Sequence, residues 1–252
     1  MIDSLRRIGA LARHNTVLRL RDPGQFLSYL VMPMVLMLAL KPLFERAVTG
    51  GTTHIATGTL VIFSALALSI VGNSTLAERS WHTWDRLRST RASVTELLVG
   101  KTLPAYGLLL LQQTILLAYG VTIIGAHPHD GSAYGLLLLS IVVWGAALLA
   151  IGTAMAAVVR SHGELSAACD VGALTLTTLG GAFVPVSMFP SWLQTIAPAS
   201  PGYWSLSMLQ HAMRGDTTGT LWRAAVLLGV GAVAAAFAYR RLATGWGRST
   251  ML

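Results

Sequence analysis

The tetrapeptide Val99-Gly100-Lys101-Thr102 ends as a phosphate-binding loop ends. Such a loop needs a glycine five residues before its Gly-Lys pair so that the backbone can wrap the phosphates. Thr95 stands there, and Leu97-Leu98 suits a helix better than a glycine-rich loop. Gly72-Asn73-Ser74 offers a serine at the end of an apolar run. No glycine follows it, and no apolar run supplies a partner histidine, so a catalytic dyad is not expected. The histidines are scattered, without the His-Glu-x-x-His spacing of a zinc site. His127 and His129 flank Pro128 and suit a weak metal contact or, more simply, a solvated turn. Cys169 is the single cysteine and gives neither a disulfide framework nor a metal cluster. Asp170 is the one acid well inside an apolar block. It suits a proton or substrate site, and equally a local partner for Arg160.

These residues sit in a chain that is 54% hydrophobic and only 11% charged over 252 residues. A soluble domain carries about 25% charged residues, and here the apolar residues come in blocks long enough to cross a bilayer. The net charge of +8 lies in short segments between those blocks, which points to the membrane surface and not to nucleic acid. The chain reads as one all-α polytopic domain, 1–252, with six spans. They are expected at about Phe26 to Phe44, Ile55 to Leu76, Leu103 to Ile124, Ala133 to Val159, Leu165 to Val184 and Leu221 to Tyr239. The first contains Pro33, Lys41 and Pro42 and reads as the least regular; the second and third read as clean. Small residues at Ala146, Ala150 and Ala154 favour close helix packing.

Residues 1–25 carry five arginines beside a helical row of apolar residues, the pattern of an amphipathic helix lying in the headgroup region, and no cleavable signal is expected. Residues 185–215 hold four prolines among aromatics. That stretch is too broken for a straight span and too apolar for a free loop, so short helices re-entering the interface are expected. With both termini inside, only Lys41, Arg46, Arg214 and Arg223 of the 18 Lys and Arg residues fall outside, which favours this orientation. It puts residues 78–101, the longest polar stretch, in the cytoplasm and residues 185–215 outside. Within the polar stretch Trp84, Leu87 and Arg88 fall at helical spacing. That suits a helix docking in a partner's groove, and the same charges also suit an ordinary cytoplasmic loop.

The polar stretch resembles a loop of the ABC-2 type permeases, the membrane subunits of ABC exporters, in which E-R-x-x-G-T-x-[DE]-R-L-x-x-[ST]-P follows the second span. Glu78, Arg79, Thr83, Asp85, Arg86, Leu87 and Thr90 match; His82 and Arg91 replace the usual glycine and proline. A second similarity is Gly180-Gly181-x-Phe183-x-Pro185, then Phe189-Pro190, Pro198, Pro201 and Tyr203. The resemblance implies a permease of a bacterial cytoplasmic membrane that pairs with a second permease, as a homodimer or heterodimer. It also implies a separate ATPase subunit that uses ATP and Mg, neither bound by this chain. Glu78, Arg79, Thr83, Trp84, Asp85, Arg86, Leu87 and Arg88 would form the coupling helix on that ATPase. Pro185, Phe189, Pro190, Trp192, Pro201 and Tyr203 would shape an external gate. The cargo would be a drug, lipid or glycolipid. The rival expectation is a proton-coupled carrier or channel working alone through Asp170.

Overall fold

The computed structural model describes residues 24–69, 72, 94–159 and 161–243, together with 9, 12, 13 and 15–17. Eight α-helices are bounded within these residues: α1 (Gly24–Ala47), α2 (Gly51–Leu66), α3 (Val94–Tyr119), α4 (Gly131–Ala156), α5 (His162–Leu179), α6 (Ser191–Ile196), α7 (Pro201–Met213) and α8 (Thr217–Ala243). α3 runs on into a π-helical turn, Gly120–Ile124. No strand occurs among the described residues.

Among the described residues, four helices are long and apolar enough to cross a membrane: Phe26–Ala47, Thr102–Ile124, Gly131–Ala156 and Thr217–Arg241. They coincide with the first, third, fourth and sixth expected spans. α2 is a shorter apolar helix, with helical residues again at 68, 69 and 72. α5 has 18 residues, but Glu164, Asp170 and three threonines dilute its apolar character. It also stops five residues before the expected Val184, because Gly180 and Gly181 turn the chain there. The 185–215 stretch does resolve into short helices: two 3-10 turns, α6 and α7.

α2 is the centre of the bundle. Nearly all of its residues are buried, His54, Thr57, Thr59 and Ser64 among them, as the helices around it cover most of its surface. α1, α3, α5 and α7 surround it, while α4 and α8 pack on each other and on α7. The outward faces of α1 (Leu27, Val31, Met32, Val35, Leu38) and α8 (Trp222, Leu228, Val233, Phe237) are exposed and apolar, the composition that lipid requires.

Local chemistry sets the element boundaries. Asp130 caps α4 by accepting from the Ala133 amide at 2.9 Å, and Ser161 caps α5 by accepting from the Glu164 amide at 3.1 Å. Ser200 caps α7, with Pro201 in the first helical position, where its missing N–H costs nothing. Gly50 (φ 71°) and Gly215 (φ 72°) take the left-handed conformation that joins α1 to α2 and α7 to α8. These turns share one end of the bundle, here termed the hairpin end, with the α3–α4 turn. There the His129 amide donates to the Met213 carbonyl at 2.9 Å.

Glycine also governs how closely the helices approach. A Cβ on Gly58 of α2 would run into the Ala182 backbone. One on Gly180 would meet the backbone of Gly202 and Tyr203, and one on Gly202 that of Leu176 and Thr177. The chain leaving α5 and the start of α7 therefore lie backbone to backbone, pressed against the central helix.

Candidate functional site

Among the described residues, three polar sites interrupt this apolar bundle. The first lies halfway along α3. Gln112 and Gln113 are almost fully buried, near the middle of the Thr102–Ile124 span. The Gln112 side-chain nitrogen donates to the Tyr29 carbonyl of α1 and to the Phe63 carbonyl of α2, both at 3.2 Å. Pro33 explains the first contact. It lies four residues after Tyr29 and has no N–H to donate, so the Tyr29 carbonyl lacks its helical partner. α1 is nonetheless one continuous helix through Pro33 and Pro42, more regular than its prolines suggested. Nearby, the Trp144 indole N–H of α4 donates to the Ser64 hydroxyl of α2 at 2.8 Å. Gln113 faces the other way, towards Gly145 of α4, and among the described residues neither of its amide atoms has a partner.

The second group lies at the hairpin end. His54, at the start of α2, is buried and stacks on Phe44 of α1, with ring centroids 5.7 Å apart and planes 11° from parallel. Its Nδ1 is 3.2 Å from the Gln210 side-chain nitrogen of α7, so Nδ1 accepts and the imidazole carries its proton on Nε2. That Nε2 is buried without a partner among the described residues. His211 Nδ1 donates to Asp216 Oδ2 at 2.7 Å, and the other carboxylate oxygen accepts from the Gly219 amide at 2.9 Å, capping α8. Arg223 of α8 donates to the Ser207 hydroxyl of α7 at 2.6 Å and to the Gly219 carbonyl at 2.8 Å.

The two capping carboxylates at this end titrate low. The Gly219 amide and then the His211 hydrogen bond hold Asp216 below the usual carboxylate value. The Ser132 hydroxyl and then the Ala133 amide do the same for Asp130. Because both folded values are depressed, the stabilisation is fully present above about pH 4, the unfolded carboxylate value, and is lost as pH falls through the folded values. The melting temperature of detergent-purified protein tests this. The gap between wild type and Asp130→Asn/Asp216→Asn should be constant near neutral pH and close in acid below about pH 4.

The third group is Asp170. It is exposed on α5, on the flank of the buried row Leu165, Cys169, Ala173 and Thr177. Its expected partner, Arg160, lies outside the described residues.

The structure divides the other residues singled out in the sequence. Glu78, Arg79, Thr83, Trp84, Asp85, Arg86, Leu87 and Arg88 all lie outside the described residues, as does most of the 1–25 segment. Val99-Gly100-Lys101-Thr102 is helical, within α3. Pro185 and Phe189 are half-buried around the Val186–Met188 turn, Pro190 precedes α6, and Trp192 of α6 is 64% exposed. Pro201 and Tyr203 open α7, where Tyr203 meets Trp204 edge-on at 5.4 Å. Trp204 itself donates to the Pro198 carbonyl at 2.7 Å. Pro201 and Tyr203 are thus brought against the end of α5, whereas Trp192 points away from the bundle. Gln112, Gln113 and His54 were not singled out in the sequence. The available signal was a pair of amides in the middle of an apolar block, together with a proline in another block whose freed carbonyl needs a donor.

The comparisons with known proteins agree with this architecture. The family model of the ABC-2 type transporter matches residues 6–213. The chain is 24% identical over 218 residues to the Linearmycin resistance permease protein LnrN of Bacillus subtilis (strain 168). That match covers 85% of this chain and 54% of the relative, so the chain spans about half of the relative's length. The all-helical bundle, its four candidate spans and a family match over most of its length lead to one conclusion: this chain belongs to the ABC-2 type transporter family.

Proposed function

We propose that the chain is the permease of an exporter driven by a separate ATPase subunit, and that it moves a hydrophobic or amphipathic compound out across the bacterial cytoplasmic membrane. The observation that carries this reading is where the polar stretch falls. It joins α2, the buried centre of the bundle, to α3. A partner that moves this connection moves the two helices at the core of the fold, and the family loop pattern from Glu78 to Thr90 lies within it. ATP and Mg belong to the partner. ATP binding would close a pair of ATPase subunits and carry the coupling helices, centred on Trp84, Asp85 and Arg86, with them.

In this reading α2, with its extension, and α5 are the second and fifth of six spans. Both termini are cytoplasmic, the N-terminal segment lies along the membrane surface, and the hairpin end faces out. Residues 185–215 re-enter the outer leaflet there, with Pro185, Phe189, Pro190, Trp192, Pro201 and Tyr203 shaping the exit. An ionised acid is costly against lipid, so the α5 flank that carries Asp170 faces a second permease or a water-filled path. The low count of ionisable groups in the spans suits an apolar cargo, and the relative named for linearmycin resistance supports a toxic compound as that cargo.

Co-expression with candidate ATPases tests the reading. A stable complex should form, and inverted vesicles containing it should accumulate a fluorescent amphipathic dye only with ATP and Mg. The position of Asp170 favours one rival, a carrier driven by the proton gradient. Dye uptake that needs no ATPase, follows an imposed pH gradient and is abolished by Asp170→Asn would establish that rival and sink the exporter.

A further inference from the structure

The Gln112 contact joins three helices through one nitrogen. An amide nitrogen has two hydrogens, and here each is used on a different helix: one on Tyr29 of α1, the other on Phe63 of α2. Both acceptors are backbone atoms, so the tie fixes the helices themselves and not mobile side chains. The Phe63 carbonyl also accepts from the Ala67 amide at 3.2 Å, where α2 ends and the connection to α3 begins. A second contact runs beside the tie, with the Tyr29 hydroxyl 3.4 Å from the Ser69 hydroxyl. α1 is the least buried of the candidate spans. At this depth no water competes for the carbonyl that Pro33 frees, so the bond is retained as the helices move.

We infer that Gln112 is a positioning residue that makes α1 move with α2 and α3 when their connection is displaced. The inference rests on the ATP-driven reading above. The alternative is that Gln112 only satisfies a stranded carbonyl, and Pro33 allows the two roles to be separated. Pro33→Ala restores an N–H to the Tyr29 carbonyl within α1, so that Gln112→Met in the same chain strands nothing and removes only the tie.

The test uses the permease–ATPase complex in lipid nanodiscs. Cys169→Ala removes the native thiol, and spin labels are placed at the exposed positions Val35→Cys on α1 and Leu111→Cys on α3. Electron–electron distances are read without nucleotide and after trapping with ATP, Mg and vanadate. With Gln112 intact, the α1–α3 distance should be the same in both states. In Gln112→Met/Pro33→Ala it should shift on trapping by about 2 Å or more, the scale of ordinary helix displacements. Gln112→Met alone should shift likewise and also melt at a lower temperature, a defect that the double variant repairs. A wild-type distance that shifts on trapping, or a double variant whose distance stays fixed, overturns the inference. Failure of every candidate ATPase to form a trapped complex overturns the exporter reading, and this inference with it.

Discussion

Gly202→Leu and Gly58→Leu should each prevent the chain from accumulating as a monodisperse membrane protein. At both positions the added side chain would begin inside the backbone of a neighbouring segment: Leu176–Thr177 for Gly202, Ala182 for Gly58. Backbone cannot turn aside as the tip of a long side chain can, so α7 would have to leave α5, or the turn after α5 would have to leave the central helix. Overpacking of a tight core costs about 1–3 kcal/mol and occasionally more. A collision with backbone at either contact belongs at the upper end, comparable to a large part of a domain's net stability. Gly135→Ala and Gly229→Ala provide the controls. A Cβ at either meets nothing within 4 Å, and alanine should be neutral or stabilise the helix by up to about 1 kcal/mol. Size-exclusion profiles and melting temperatures in one detergent compare all four.

Replacing Trp84, Asp85 and Arg86 together with alanine should lower ATP-driven transport at least about ten-fold, equivalent to losing roughly 1.4 kcal/mol or more of coupling. An aromatic anchor and a charged pair are the kind of residues that carry a docking surface, and the triple variant removes both. Membrane insertion should not change, because no apolar block is altered. The measurement is co-purification of the ATPase alongside dye uptake into inverted vesicles. A variant that keeps both would show that this stretch only sets topology.

Much of the fold could be read from the sequence because lipid makes simple demands. A long apolar block must become a helix, and α1, α3, α4 and α8 appear where those blocks lie. The prolines and aromatics of 185–215 signalled short helices, and short helices are present. The fifth block was harder, since its threonines and two acids weaken the signal and the glycine pair that ends it lies inside the apolar run. α2 and α3 read as clean spans, yet most of the internal polar contacts belong to them. Ser64, Gln112 and Gln113 pass unnoticed because one or two amides or hydroxyls hardly lower the hydropathy of a block, and the partners of Ser64 and Gln112 lie far away in sequence. Pro33 gave a misleading signal. A proline reads as a break, but a donor from a helix 83 positions away in sequence takes over the bond it removes. The candidate coupling residues were legible only as a motif, because in the proposed reading their role depends on a second protein.

At the hairpin end, His129 is bonded to Met213, His54 to Gln210 and Arg223 to Ser207. Together with the filled interior around Trp144, these bonds stopper the bundle along its own axis. In the proposed exporter, cargo would then slide along an outer side of the bundle, and a single chain would form one wall of the route.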